Sequence, residues 1–234
     1  MIAKAPLRSA TRLLVAGAVL AAGAYATLAS LTWFRYGHPP RAGSDERDEF
    51  LDRFMPDYEV VERHHIRVCA PAPVTLAAAR EQNLFELPLV RAIFKGRELV
   101  LRATPGERFQ SRGLLDEVQS LGWGVLVDIP EREVVVGAIT KPWEPNVRFR
   151  ALPPDEFAAF REPGHVKIAW TLRADTVDET TSVFRTETRA IATDPVARER
   201  FRRYWALARP GIAMIRRLSL RPLKRDAERR ARRC

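Results

Sequence analysis

From Tyr58 to Ala70 the side chains change character at every second position. Val60, Glu62, His64, Ile66 and Val68 share one side of an extended chain; Val61, Arg63, His65, Arg67 and Cys69 share the other. That period of two predicts a strand over 58–70. Pro71 and Pro73 stop it, and "VTLAAAREQN" predicts a short helix directly after. "LPLVRAIFKG" predicts a second helix, which Gly96 ends. Residues 97–112 fit neither period, and "GLLDEVQSLG" reads equally as a short helix or an irregular strand. Strand patterns then follow one another. "WGVLVDIP" and "REVVVGAIT" flank a hairpin at Pro130-Glu131, and "NVRFRAL" alternates Val147, Phe149 and Ala151 with Arg148 and Arg150. After a turn over "PPDEFAAFREPG", "HVKIAWTLRAD" sets Val166, Ile168, Trp170 and Leu172 against His165, Lys167, Thr171 and Arg173. "TTSVFRTETRAIA" sets Phe184, Thr186, Thr188 and Ala190 against Arg185, Glu187 and Arg189. The pattern predicts an antiparallel sheet with one wet and one covered face.

Thr193-Asp194-Pro195 marks a helix start, with Asp194 as cap and Pro195 at the first helical position. Phe201, Tyr204, Trp205, Ala208, Ile212 and Ile215 then recur at three- and four-residue steps, the stripe of a long amphipathic helix. Pro210 falls inside it and should kink it.

A different pattern occupies the N-terminus. Residues 13–34 carry no charge over 22 positions, enough at 1.5 Å per residue to cross a hydrocarbon core of about 30 Å. Trp33, Phe34 and Tyr36 cluster at one end as an interfacial belt would. Ala24-Tyr25-Ala26 resembles a signal-peptide cleavage site, but the apolar run continues eight residues beyond it, which favours an uncleaved anchor. Basic residues flank both ends, so the orientation leans only slightly towards an inside N-terminus. In the linker 35–57, Ser44 is placed to cap a short helix whose Phe50, Leu51 and Phe54 form one apolar side and which Met55-Pro56 ends. The expected division is a basic tail 1–12, an anchor 13–34, a linker 35–57, a folded domain 58–215 and a second basic tail 216–234.

Locating the charge changes its meaning. The net +10 comes wholly from the two ends: Lys4, Arg8 and Arg12 in 1–12, and nine basic residues against Asp226 and Glu228 in 216–234. The body between them is neutral. A nucleic-acid reader carries its basic stripe on the fold itself, and the tail lacks aromatics for stacking bases, so nucleic acid is an unlikely partner. A lipid bilayer fits better: Arg216, Arg217, Arg221, Lys224 and Arg225 could hold the tail to an anionic leaflet, with a frayed solvated terminus as the alternative. No feature names a protein partner.

Candidates for chemistry are few. There is no G-x-S-x-G, Walker loop, C-x-x-C or H-E-x-x-H, and Cys69 and Cys234 suggest neither a disulfide framework nor a zinc site. No metal or other cofactor is expected. His64 and His65 are adjacent on a strand and point to opposite faces, so they cannot share a metal. His64, flanked by Glu62, is a weak general-base candidate; a hydrogen-bonded core histidine is the plainer reading. Arg185, Glu187 and Arg189 read as a solvated charge ladder. "KPWEP" over 141–145 is a rigid loop that gates a pocket, rests on lipid or simply turns the chain.

"IRVCAPAPVTLAAAR" resembles the first strand and helix of the START-like superfamily, also called SRPBCC or polyketide cyclase-like, and "TETRAIATDPVARERFRRYWALARPGIAMIRR" resembles its last strand and closing helix. The resemblance covers about 58–225, and its motifs are patterns rather than diagnostic residues. It implies an α+β helix-grip fold: an antiparallel sheet wrapped on a long C-terminal helix, here preceded by one transmembrane helix. It also implies an apolar cavity between helix and sheet, lined in this chain by Ile168, Trp170, Leu172, Phe184, Phe201, Tyr204, Trp205 and Ile212, although the same side chains would serve as plain core. The expected function is a membrane-anchored domain that binds a lipid-like apolar small molecule without catalysis. Two alternatives stay open: a cyclase- or hydrolase-like enzyme using His64, and a non-catalytic interaction module of the cell envelope.

Overall fold

A computed structural model describes residues 5–83, 87–101 and 113–233. Lys4, residues 102–112 of the ambiguous stretch and Cys234 lie outside the described residues. Helix α1 (Ala5–Arg35) carries the apolar run, and within it Val15–Arg35 is long and apolar enough to cross a membrane. Its apolar side chains stand largely exposed, among them Val19, Leu20, Leu28 and Phe34. Its C-terminal half meets α7: the Tyr25 hydroxyl donates to Leu207 O, Thr32 is buried, and Arg202 lies over the Trp33 ring at 4.1 Å while donating to Trp33 O. Just beyond, Tyr36 is buried with its ring edge-on to Phe201.

The linker helix α2 (Glu49–Phe54) is capped by Asp48, not Ser44: Asp48 Oδ1 accepts the Leu51 N–H at 2.9 Å. Ser44 instead lies in the preceding turn, which Glu46 closes by accepting the Gly43 N–H. Strand β1 (Val60–Val68) feeds α3 (Ala72–Glu81), whose small residues Ala72, Ala78 and Ala79 are buried and let it lie close to the sheet. Helix α4 (Pro88–Leu101) runs through Gly96. A glycine ends a helix only where the backbone turns left-handed; inside one it costs only about 1 kcal/mol. α5 (Leu114–Ser120) resolves the second ambiguous stretch as helix.

The remaining strands are β2 (Gly124–Ile129), β3 (Glu133–Thr140), β4 (Phe149–Arg150), β5 (Val166–Asp178) and β6 (Thr181–Ala192). All neighbours pair antiparallel in the order β1-β6-β5-β3-β2, with β4 against β3. The expected turn over 153–164 contains a short helix, α6 (Pro154–Ala159), which buries Phe157. Gly122 sits at φ +97°, and a methyl group there would overlap Phe149 O. Gly122→Ala is therefore expected to cost about 1–3 kcal/mol, from backbone strain and overlap together; thermal melts of the two proteins in one mild detergent check it.

The closing helix α7 (Pro195–Ala231) starts as expected, with Asp194 accepting from the Val196 and Ala197 N–H groups. It does not stop at Ile215. It continues past Pro222 because its far end is held: Leu223 and Ala227 are buried, Lys224 Nζ donates to Arg67 O at 2.9 Å, and Glu228 accepts the Cys69 N–H at 3.0 Å. Residues 216–231 thus belong to the folded rod rather than to a separate tail. Strand, short helices, antiparallel strands and one long closing helix make this an α+β fold of helix-grip type.

The sheet is covered on both faces, not one. On the α7 face lie two apolar clusters. The first includes Val68, Leu76, Val134, Val136, Trp170, Leu172, Phe184, Leu223 and Ala227; the second includes Tyr36, Val60, Val166, Ala190, Phe201 and Trp205. On the opposite face Leu51, Phe54 and Met55 from the linker and Phe157 from α6 pack on Leu126, Val135, Ile139 and Ala169. The charged row expected to be wet is sealed beneath them: Arg189 is 1% exposed and Glu187 5%. Strand alternation separates two faces, but it does not say what another segment will lay over the polar one.

Candidate functional site

The polar groups on the α7 face come from both strand and helix. Glu62 and His64 occupy alternate positions of β1, opposite Thr188 and Thr186 of β6, and Trp170 of β5 stands on the other side of Thr188. The fourfold spacing that turns Trp205 and Ile212 inward on α7 also turns Arg209 and Arg216 the same way. Arg209 pairs with Glu62 through Nε and Oε1. His64 Nε2 stands 3.5 Å from Glu62 Oε2, at the outer limit of a hydrogen bond. Burial alone would raise the Glu62 pKa, but His64 and Arg209 outweigh it and hold the carboxyl below its usual range.

Arg216 is placed differently. Its guanidinium lies 5.0 Å from the Trp170 ring centre and donates to Thr188 Oγ1 at 3.1 Å. Burial pulls its pKa down to about 10, opposed by the charge of Glu62, so it stays protonated at neutral pH. No carboxylate among the described residues forms an ion pair with it. His64 Nε2 and Thr186 Oγ1 are buried and have no hydrogen-bond partner there either.

The eight apolar residues expected to line one cavity are divided by this polar layer. Trp170, Leu172 and Phe184 pack in the first cluster, with α3 and the far end of α7; Phe201 and Trp205, with Ile168, Tyr204 and Ile212 against them, form the second. Trp143 of the "KPWEP" loop packs against the second cluster. Two hollows open elsewhere, and none of the eight lines either. A cavity of about 20 Å³, room for about one water, lies between Asp48, Arg63, Arg173 and Glu187, and His64 and Thr186 also border it. A hollow of about 460 Å³ opens to solvent beside Pro73, Pro130 and Asp175. No group of three or more His, Cys, Asp or Glu side chains among the described residues is placed to hold a metal ion.

Of the five expected membrane-surface cations, Arg216 turns inward and Lys224, still partly exposed, reaches the Arg67 carbonyl at the end of β1. Arg217, Arg221 and Arg225 are exposed, four residues apart on one side of α7, and near them Met214 and Leu218 expose apolar surface.

The opposite face carries the densest charge. Arg189 bonds Glu187 Oε1 at 2.6 Å, Asp52 Oδ1 at 2.6 Å and Met55 O at 2.9 Å, with the Tyr58 ring 4.6 Å away. Arg63 grips both oxygens of Glu187 and donates to Pro40 O. Arg173 donates to Arg47 O, and Arg185 pairs with Asp45. These cations bind the linker to the sheet and leave little room for a guest.

No family model matches the sequence, and no curated protein matches it. Among solved structures, the crystal structure of the Zhui aromatase/cyclase from Streptomyces sp. R1128 is similar, with 16% identity over 73% of this chain and 94% of that chain and a TM-score of 0.23. At that TM-score neither the fold nor any residue role follows from the likeness.

Proposed function

We propose that this chain is a membrane-tethered helix-grip domain that takes an apolar, lipid-like small molecule between α7 and the sheet without reacting with it. The supporting observation is the interrupted core under α7: two greasy clusters with buried, unpartnered polar atoms between them. A packed core filler gains nothing from such atoms, each of which costs about 1–3 kcal/mol. The backbone ladder of α7 is also interrupted there. Pro210 cannot donate the helical hydrogen bond to Ala206 O, and Gly211 carries no side chain where Ile93 of α4 presses close. The tether is α1, with its exposed apolar flank, and Arg217, Arg221 and Arg225 would face an anionic leaflet. The slight lean to an inside N-terminus rests on Lys4, Arg8 and Arg12 ahead of the apolar run.

The full chain in phosphatidylcholine nanodiscs, exposed to a palmitate bearing a diazirine, tests the binding reading. After irradiation, label is expected on peptides holding Trp170, Phe184 or Ile212. Label confined to α1, as surrounding lipid would give, sinks it. A cyclase- or hydrolase-like reading through His64 has less support, because Glu62, the acid beside it, is already engaged by Arg209.

A further inference from the structure

The polar layer under α7 has a sign. Glu62 and Arg209 neutralise each other in direct contact, which leaves Arg216 as the unbalanced charge among the described residues of the layer. Its present partners are a neutral hydroxyl, Thr188, and the face of Trp170. On the same face Thr186 Oγ1 has no hydrogen-bond partner among the described residues, and His64 Nε2 has only the Glu62 carboxylate, at 3.5 Å. His64 pairs in register with Thr186, and Thr186 sits two residues along β6 from Thr188, about 7 Å away. Thr186 is 5% exposed. A cation beside one unsatisfied hydroxyl and one loosely held imidazole, walled by apolar clusters, is a donor set suited to an anion that arrives attached to an apolar body.

We propose that Arg216, His64 and Thr186 bind the anionic head, a carboxylate or a phosphate monoester, of the molecule whose tail lies among the flanking clusters. This rests on the ligand-binding reading above. The guanidinium turns from Thr188 towards the head, Thr186 Oγ1 and the Nε2–H of His64 donate to it, and the Glu62–Arg209 pair stays in place beside it. Neutral lipids of equal length lack the partner for Arg216 and bind more weakly.

The test is competition against diazirine-palmitate labelling of the full chain in nanodiscs, with palmitate, hexadecyl phosphate, hexadecanol and inorganic phosphate as competitors. In the native protein, palmitate or hexadecyl phosphate is expected to compete at concentrations at least about tenfold below hexadecanol, a difference of about 1.4 kcal/mol. Arg216→Met should erase that difference and Arg216→Lys keep most of it. Thr186→Val, which preserves shape, should reduce it about threefold and serves as the readout if the arginine variants do not fold. Which acid competes better tells carboxylate from phosphate. Hexadecanol competing as well as both acids overturns the head assignment while leaving ligand binding intact. Inorganic phosphate matching hexadecyl phosphate also overturns it, since the site would then hold a free anion without a tail. Absence of label beneath α7 removes the reading on which the proposal stands.

Discussion

Arg189→Ala is expected to lower the unfolding free energy by about 3 kcal/mol, the low end of what breaking a buried ion pair costs. The guanidinium is almost wholly enclosed and ties three segments together: Glu187 on its own strand, Asp52 in α2, and the carbonyl of Met55 where α2 ends. Burial would lower its pKa, but Glu187 and Asp52 outweigh that and raise it, so the charge is favoured where it sits. Truncation opens a cavity under Tyr58 and leaves the Met55 carbonyl without this donor. Glu187 keeps Arg63, which is why the loss stays at the low end. Asp52→Asn should cost under about 1 kcal/mol, because Asp52 is half exposed and water screens it. Chemical denaturation followed by tryptophan fluorescence measures both. An alanine variant as stable as the native protein would mean that the linker does not seal this face.

The second large effect is a loss of stability towards alkaline pH. Glu133 is 1% exposed, and its pKa is pushed up to about 8, first by burial and then by the charge and hydrogen bond of Asp48 from the linker. Thr171, which donates to Glu133 Oε1 at 2.9 Å, and the cation of Arg173 oppose the rise without cancelling it. Asp48 Oδ2 also lies 3.9 Å from Arg173, whose guanidinium is shared with Asp175. The folded state therefore holds a proton that the unfolded chain releases near pH 4.5. This contribution is complete below that value and is lost as pH rises through about 8, at up to about 1.4 kcal/mol per pH unit. Denaturation midpoints from pH 5 to 9 should fall for the native protein, and Glu133→Gln should flatten the slope. Equal slopes for the two would show that the decline comes from other groups.

Much of the scaffold could be read from local pattern. The alternation in 58–70, 165–175 and 180–192 became β1, β5 and β6, and Asp194-Pro195 became the start of α7, because those signals lie within a few residues of what they predict. What escaped depends on distant partners. Arg185, Glu187 and Arg189 looked wet because nothing within their strand shows that residues 45–55 fold back over them. Gly96 looked like a stop because a glycine's side chain carries no record of its backbone angle. The polar layer joins Glu62 and His64 to arginines about 150 residues later. A signal for it was present: Arg209 and Arg216 interrupt the inward stripe of the closing helix between Trp205 and Ile212, and beyond it, where an apolar face would ordinarily continue.

The stretch between the apolar helix and the sheet is bracket rather than leash. Pro40, Asp45, Arg47, Asp52 and Met55 are each fastened to strand arginines. Were α1 seated in a bilayer, these ties would leave the domain no slack to drift away or to swivel, and it would ride at one height and one angle above the headgroups, so that any exchange would take place within a few ångströms of the lipid surface.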